Sequence, residues 1–306
     1  MGKWIFTPSQ PGVRNTASWL ISPQNNSDEV YQVDVSWPLG WSAQEHSVAN
    51  ALYLVDGNAL FLTATEALRR RESHRARATK TIVVAIGYPL TDSLFSPRRS
   101  TDLTPPCDNY NPPEGADGKP KLEGHGGADK FLTFITEIVQ PFIRLTVFPN
   151  ISFRKTALFG HSYGGLFVLH SLFTQPSSFD LYLAASPSIW WNGCFVLSEL
   201  TRFCESLPLK HPPVLRLSFG SREQFPVREP GESLEKFERR NAAAQRRRMA
   251  DNCSELYDRL LTAGHLRVLE LKVYPDEDHG SVIAPALNGA IVFMEGLLSE
   301  MDEDDR

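Results

Sequence analysis

Cysteine is scarce in this chain. Its four residues, Cys107, Cys194, Cys204 and Cys253, are scattered without C-x-x-C spacing. A disulfide framework and a zinc site are therefore not expected, and reduced thiols are. Cys194 and Cys204 lie near enough in sequence to pair, but free, partly buried thiols are the simpler expectation. No apolar run approaches the roughly 20 residues of a membrane-spanning helix. The opening stretch MGKWIFT has no signal-peptide apolar core, and Phe6 stands where a myristoylation signal requires Ser or Thr. A net charge of −5 gives no general attraction to nucleic acid or to an anionic membrane. No internal repeat is present. These absences leave a cytoplasmic protein without nucleic-acid or membrane partners as the expectation.

What is present reads as an ordinary α/β core. Apolar residues make up 42% and charged residues 22% of the chain, enough for a large core. Residues 18–22 read as a first strand and Asn25-Asn26 as a turn. Residues 31–37 alternate apolar and polar as a half-exposed strand does. Residues 51–55 are a continuous apolar run, as expected of a strand buried on both faces; 81–87 and 156–159 read as further buried strands, and 181–185, 214–219 and 267–274 as the strands that follow. Helices are expected over 59–71, over 129–139 with Pro141 as the stop, over 164–173, over 233–263 as one helix or a pair ended by Gly264, and from a Ser281 cap through Leu298. Strand and helix alternate, so a doubly wound, mostly parallel sheet follows. The expectation is one domain over 1–306. It carries a Pro- and Gly-rich loop at about 88–127 that hangs off a strand's carboxyl end near the active-site rim. A helical insertion at about 225–263 and an acidic, frayed tail at 300–306 complete it.

The densest information lies in Gly160-His161-Ser162-Tyr163-Gly164. It is a G-x-S-x-G sequence between a strand and a helix, the setting of the nucleophile elbow of an α/β-hydrolase. Glycines keep side chains away from a sharp turn that lifts Ser162 above the sheet. The Tyr163 N–H is aimed at an oxyanion, helped by the positive end of the helix dipole. Serine needs a base, and the base needs an acid to hold its tautomer. In this fold the acid and then the histidine follow the serine in the chain.

Of the eight histidines, His279 has the order and the place, just past the last strand with Gly280 beside it. His46, His125 and His211 lie in loops, His74 at a basic helix end, His161 and His170 beside or within the elbow helix, and His265 after Gly264. Glu223, after the strand before the last, is the candidate acid. Asp276, Glu277 and Asp278 sit on the histidine's own tight loop, a poor position from which to reach its far nitrogen. The second oxyanion donor is expected after the strand ending at Val55, from the N–H of Asn58 or else of Gly57. Such a donor contributes about 3 kcal/mol of transition-state stabilisation.

Several further stretches stand in order with the elbow: YLVDGNALF (53–61), RRSTDLTP (98–105), GGADKF (126–131), LFGHSYGGLF (158–167), SPSIWW (186–191) and DHGS (278–281). Together they resemble the siderophore esterases, a group that includes enterobactin-, salmochelin- and bacillibactin-cleaving enzymes and the fungal triacetylfusarinine C esterase. The likeness runs from about Tyr31 to Leu298, and the missing export signal points to the fungal enzyme. The resemblance implies a serine esterase that cuts the ester bonds of an iron-loaded siderophore after uptake. Iron would be part of the substrate, with no resident metal or other cofactor. Ser162 and His279 carry over as the catalytic pair, while Glu223 stays a positional inference. Arg98 or Arg99 matches an arginine-bearing rim loop and is a candidate substrate contact. Trp190 and Trp191 are candidates for a flat apolar wall. Two other readings fit the elbow: a general carboxylesterase or thioesterase of the esterase D type, and a non-catalytic ligand-binding protein that keeps the fold.

Overall fold

A computed structural model describes residues 13–23, 29–42, 45–74, 80–89, 92–113, 120 and 124–304. The turn expected at Asn25-Asn26 and the opening stretch lie outside these residues. Eight strands form one sheet in the order β1-β2-β4-β3-β5-β6-β7-β8. They are β1 Thr16–Ile21, β2 Tyr31–Ser36, β3 Ser47–Leu54, β4 Thr81–Gly87, β5 Ile151–His161, β6 Leu181–Ala185, β7 Val214–Gly220 and β8 Val268–Tyr274. Only β2 runs against the rest, antiparallel to both β1 and β4; β4, β3, β5, β6, β7 and β8 are parallel neighbours.

Alternation along the central strands feeds two cores. Leu52 and Leu54 of β3 enter one core with the helix Gly57–His74 and the closing helix Ile283–Asp304. Tyr53 and Val55 enter the other, with the elbow helix Tyr163–Thr174 and the helix Met249–Ala263. A sheet covered on both faces requires side chains that are apolar in both directions, which is why these strands read as continuous apolar runs. Among the described residues no helix is long and apolar enough to cross a membrane.

Pro141 does not stop its helix. Helical structure continues over 128–147, with π-helical turns at Phe134–Val139 and Ile143–Val147 on either side of Gln140–Phe142. The Gln140 N–H reaches the Ile135 carbonyl five residues back. The wider turn relieves the clash that a proline ring makes with the carbonyl four residues before it. The expected helix over 233–263 is a pair, Leu234–Arg247 and Met249–Ala263, broken where Arg248 takes left-handed φ of 48°. Gly264 ends the second at φ 68°. The closing helix begins at Ile283, because the Ser281 hydroxyl accepts from the Asp278 N–H in the preceding turn. Its backbone stays helical to Asp304, past the point where fraying was expected. All four cysteines are free.

The elbow helix is pinned from both sides. His170, buried within it, bonds through Nδ1 to Glu199 and through Nε2 to Asp129, both at 2.9 Å. Burial alone would depress its imidazolium, but the bonds and charges of Asp129 and Glu199 outweigh that and raise it to about 9. A folded value above the ordinary histidine value of about 6.5 means that the charged network stabilises fully below pH ~6.5. That stabilisation is lost as pH climbs through about 9, by an amount of the order of 3 kcal/mol. Urea unfolding of the protein and of His170→Gln between pH 6 and 10 checks this. The wild-type stability should fall across that window, relative to a flatter profile in the variant that cannot titrate. Parallel profiles would remove the charge from the network.

Candidate active site

The elbow is built by close approach. A Cβ on Gly160 would lie 2.2 Å from the Gly164 carbonyl oxygen, so only glycine lets β5 turn into the helix here. Ser162 stands at φ 61°, ψ −116°, a conformation costing an L-residue on the order of 1–3 kcal/mol and held only by its surroundings. Its N–H donates to the Ala185 carbonyl at 3.0 Å, and its own carbonyl accepts from Ser188 at 3.1 Å. Tyr163 follows as the first residue of the helix.

Two loops carry the other polar groups to Ser162. At the end of β7, a Cβ on Gly220 would lie 2.3 Å from the Glu277 carbonyl oxygen, so the loops after β7 and β8 press together there. As a result the Ser162 hydroxyl lies 3.0 Å from His279 Nε2, and His279 Nδ1 lies 2.5 Å from Glu223 Oε2. The Glu223 carboxylate is fully buried while the His279 ring is 43% exposed. The other oxygen of Glu223 accepts from the Gly220 N–H and the Ser186 hydroxyl, both at 2.6 Å. The rival carboxylates are engaged elsewhere. Asp276 pairs with Arg222 at 2.8 Å, and Asp278 accepts from the N–H groups of Gly280 and Ser281. His161 is held neutral: burial pushes its imidazole well below the usual value, and the His279 and Arg99 charges push the same way.

The remaining site candidates divide. A cleft of about 790 Å³ opens over Ser162, and its walls include Tyr163, Trp190, Arg99, Arg222, Arg240 and Arg247. Trp190 is on the wall, with the Arg247 guanidinium 4.9 Å from its ring centroid. Trp191 is not. It is 1% exposed and packs against Tyr110 and Phe195 in the core. Adjacent residues at a helix start cannot both face one cleft.

Arg98 is also off the wall, donating to the Val30 carbonyl and lying over the Tyr31 and Tyr88 rings. Arg99 reaches the wall but is clamped by a two-pronged pair with Asp56, at 2.7 and 2.8 Å. It ties the rim loop to the end of β3. Gly57 and Asn58, expected to give the second oxyanion donor, do not line the cleft. Gly57 packs against the backbone of residues 85–87, and the Asn58 side chain exchanges two hydrogen bonds with the Tyr88 backbone. His125 stacks on Tyr110, at 3.7 Å between ring centroids.

The helix Leu234–Arg247 brings arginines over the cleft, with Arg240 and Arg247 on its wall. Arg240 pairs with Glu232, whereas Arg247 has no carboxylate partner among the described residues. In the sequence they stand as runs of arginine within the expected helical insertion, a pattern that fits a solvated face as well as a cleft wall. Ser186 opens the SPSIWW stretch, but nothing in that stretch pointed to a role for its hydroxyl. Among the described residues no group of three or more His, Cys, Asp or Glu side chains is placed to hold a metal ion.

This arrangement can perform acyl transfer: a hydroxyl against an imidazole, the imidazole against a buried carboxylate, and a helix N-terminus beside the hydroxyl. Comparison with known proteins agrees in kind. The family model described as "Putative esterase" matches residues 25–267. The chain is 65% identical to a siderophore enterobactin esterase of Emericella nidulans, covering 97% of this chain and 99% of that one. It is 44% identical to the siderophore triacetylfusarinine C esterase of Aspergillus fumigatus, over 89% and 91%. Of these two the first is the more similar, where the expectation had favoured the second. The solved siderophore hydrolase EstA from Aspergillus nidulans superposes with a TM-score of 0.92 at 64% identity, over 97% of this chain and 99% of that one.

Proposed function

Because this chain belongs to the esterase family, we propose that it is a serine esterase that hydrolyses the ester bonds of iron-loaded siderophores, with Ser162, His279 and Glu223 as its catalytic triad. The observation that carries this reading is the unbroken hydrogen-bonded line from Ser162 through His279 to Glu223 at the floor of the cleft. His279 Nε2 takes the hydroxyl proton as Ser162 Oγ attacks the ester carbonyl carbon. Glu223 holds the Nδ1 proton and steadies the imidazolium that forms. The oxyanion is met by the Tyr163 N–H at the helix N-terminus. The alkoxide leaves with the proton returned by His279. Water then repeats the sequence on the acyl-enzyme, releasing the acid and restoring Ser162.

In this reading iron is cargo of the substrate, and the reaction follows uptake, in the cytoplasm. A cleft of about 790 Å³ is far larger than a small acetate ester requires, within the range that holds drug-sized ligands. The test is competitive turnover of ferric enterobactin, ferric triacetylfusarinine C and p-nitrophenyl acetate, read by mass spectrometry of the products. At least one siderophore should exceed the small ester about 100-fold in kcat/KM, since binding energy from the remote parts of a large substrate lowers the barrier. Equal or better turnover of the small ester would leave a general carboxylesterase. Failure of a fluorophosphonate probe to label Ser162 would leave a binding protein.

A further inference from the structure

One short turn touches both ends of the proposed triad. After β6 the chain runs through Ser186, Pro187 and Ser188, and both serines are completely buried. Ser186 adopts left-handed φ of 44°, strained for a residue with a Cβ. Its N–H is anchored on the Ser218 carbonyl of β7 at 2.7 Å. That geometry aims its hydroxyl at Glu223 Oε1, 2.6 Å away. On the other side, the Ala185 carbonyl and the Ser188 N–H both bind the Ser162 backbone, and the two hydroxyls of Ser162 and Ser188 lie 3.3 Å apart. The elbow helix sits directly on the turn, since a Cβ on Gly165 would come within 2.9 Å of Pro187 Cα.

We propose that Ser186 is a positioning residue of the catalytic relay: its hydroxyl, with the Gly220 N–H, occupies one oxygen of Glu223 and leaves the other to His279. A carboxylate can rotate about its last bond, and a buried one without donors would draw a proton or turn away from the imidazole. Two donors on Oε1 hold the carboxylate against that rotation and keep Oε2 fixed on Nδ1. Because Ala185, Ser186 and Ser188 belong to one turn, the separation of nucleophile and acid is set by a single piece of backbone. The titratable groups facing this carboxylate are His279 from the loop after β8 and the Cys253 thiol from the helix Met249–Ala263. Burial pushes that thiol far up, and the Glu223 charge pushes it further. His161 faces His279 from β5.

The inference rests on the triad reading above, and its test separates the two. In Ser186→Ala the anion loses a donor, so the Glu223–His279 pair takes up its proton more readily. The acid limb of the kcat/KM profile should move up by about one pH unit, and kcat at neutral pH should fall roughly tenfold with KM unchanged. Ser186→Gly removes the same hydroxyl while easing the left-handed backbone, and it keeps the test sharp if the alanine variant folds poorly. A role confined to packing would lower the melting temperature and leave the pH limb in place. An unmoved limb with kcat within twofold of wild type therefore overturns the proposal while the triad stands. Turnover surviving in Ser162→Ala would instead overturn the triad, and the proposal with it.

Discussion

Ser162→Ala is expected to lower kcat on a ferric siderophore by about a million-fold, and His279→Ala by a comparable factor. The size follows from the geometry. With the hydroxyl gone there is no acyl-enzyme. With the imidazole gone, no other imidazole among the described residues is hydrogen-bonded to Oγ, and His161, which lies beside the His279 ring, is made too weak a base to replace it by the burial that pushes its imidazole well below the usual value. The two groups act as one unit, so the double variant should be no worse than either single one, the residual rate over water coming from substrate binding and oxyanion stabilisation alone. Ser162→Gly is an informative companion. It should lose turnover equally while gaining about 1 kcal/mol of stability, because φ of 61° is a strain that glycine does not feel. Product mass spectrometry with urea unfolding of these four variants reads both effects. Turnover within a hundredfold of wild type in Ser162→Ala would end the serine mechanism.

The parts legible in the sequence were those whose physics is local. Strands buried on both faces must be largely apolar, so β4 and β6 announced themselves. The elbow did likewise, since a strand cannot turn sharply into a helix without glycine at Gly160. What was hidden depends on contacts distant in the chain. Arg99 reads as a free rim charge until Asp56, 43 residues earlier, is seen to hold it. Trp190 and Trp191 are indistinguishable as letters, yet the start of a helix turns one to the cleft and the other to the core. Pro141 reads as a stop because the rule assumes α-helical spacing, and the π-turns beside it change that spacing. Asn58 was chosen for its backbone N–H after β3, and what its side chain does, two hydrogen bonds to the Tyr88 backbone, could not be read from order. The acid was legible by order alone; the reason that Glu223 and not Asp276 meets His279 is the contact of two loops at Gly220, which no local pattern records.

That contact makes Glu223→Gln a sharper experiment than its conservative chemistry suggests. The Gly220 backbone can only donate a hydrogen bond, so it selects the amide oxygen of the glutamine for the position that Oε1 occupies now. The amide nitrogen is then left facing His279 Nδ1, where it donates. An imidazole that accepts at Nδ1 carries its proton on Nε2, the nitrogen that should receive the proton of Ser162. The side chain keeps its shape and enforces the wrong tautomer. A fall in kcat of about 10,000-fold is expected, with KM nearly unchanged, milder than removal of the nucleophile because Ser162 and the imidazole both remain. Glu223→Ala removes the acid without imposing that tautomer, so it should be no more damaging than the glutamine variant, although the cavity lowers its stability. Single-turnover kinetics of the two variants on a ferric siderophore measure the difference. Activity within tenfold of wild type in Glu223→Gln would reassign the acid to Asp276 or Asp278, which would then have to leave Arg222 or the Gly280 turn to reach the ring.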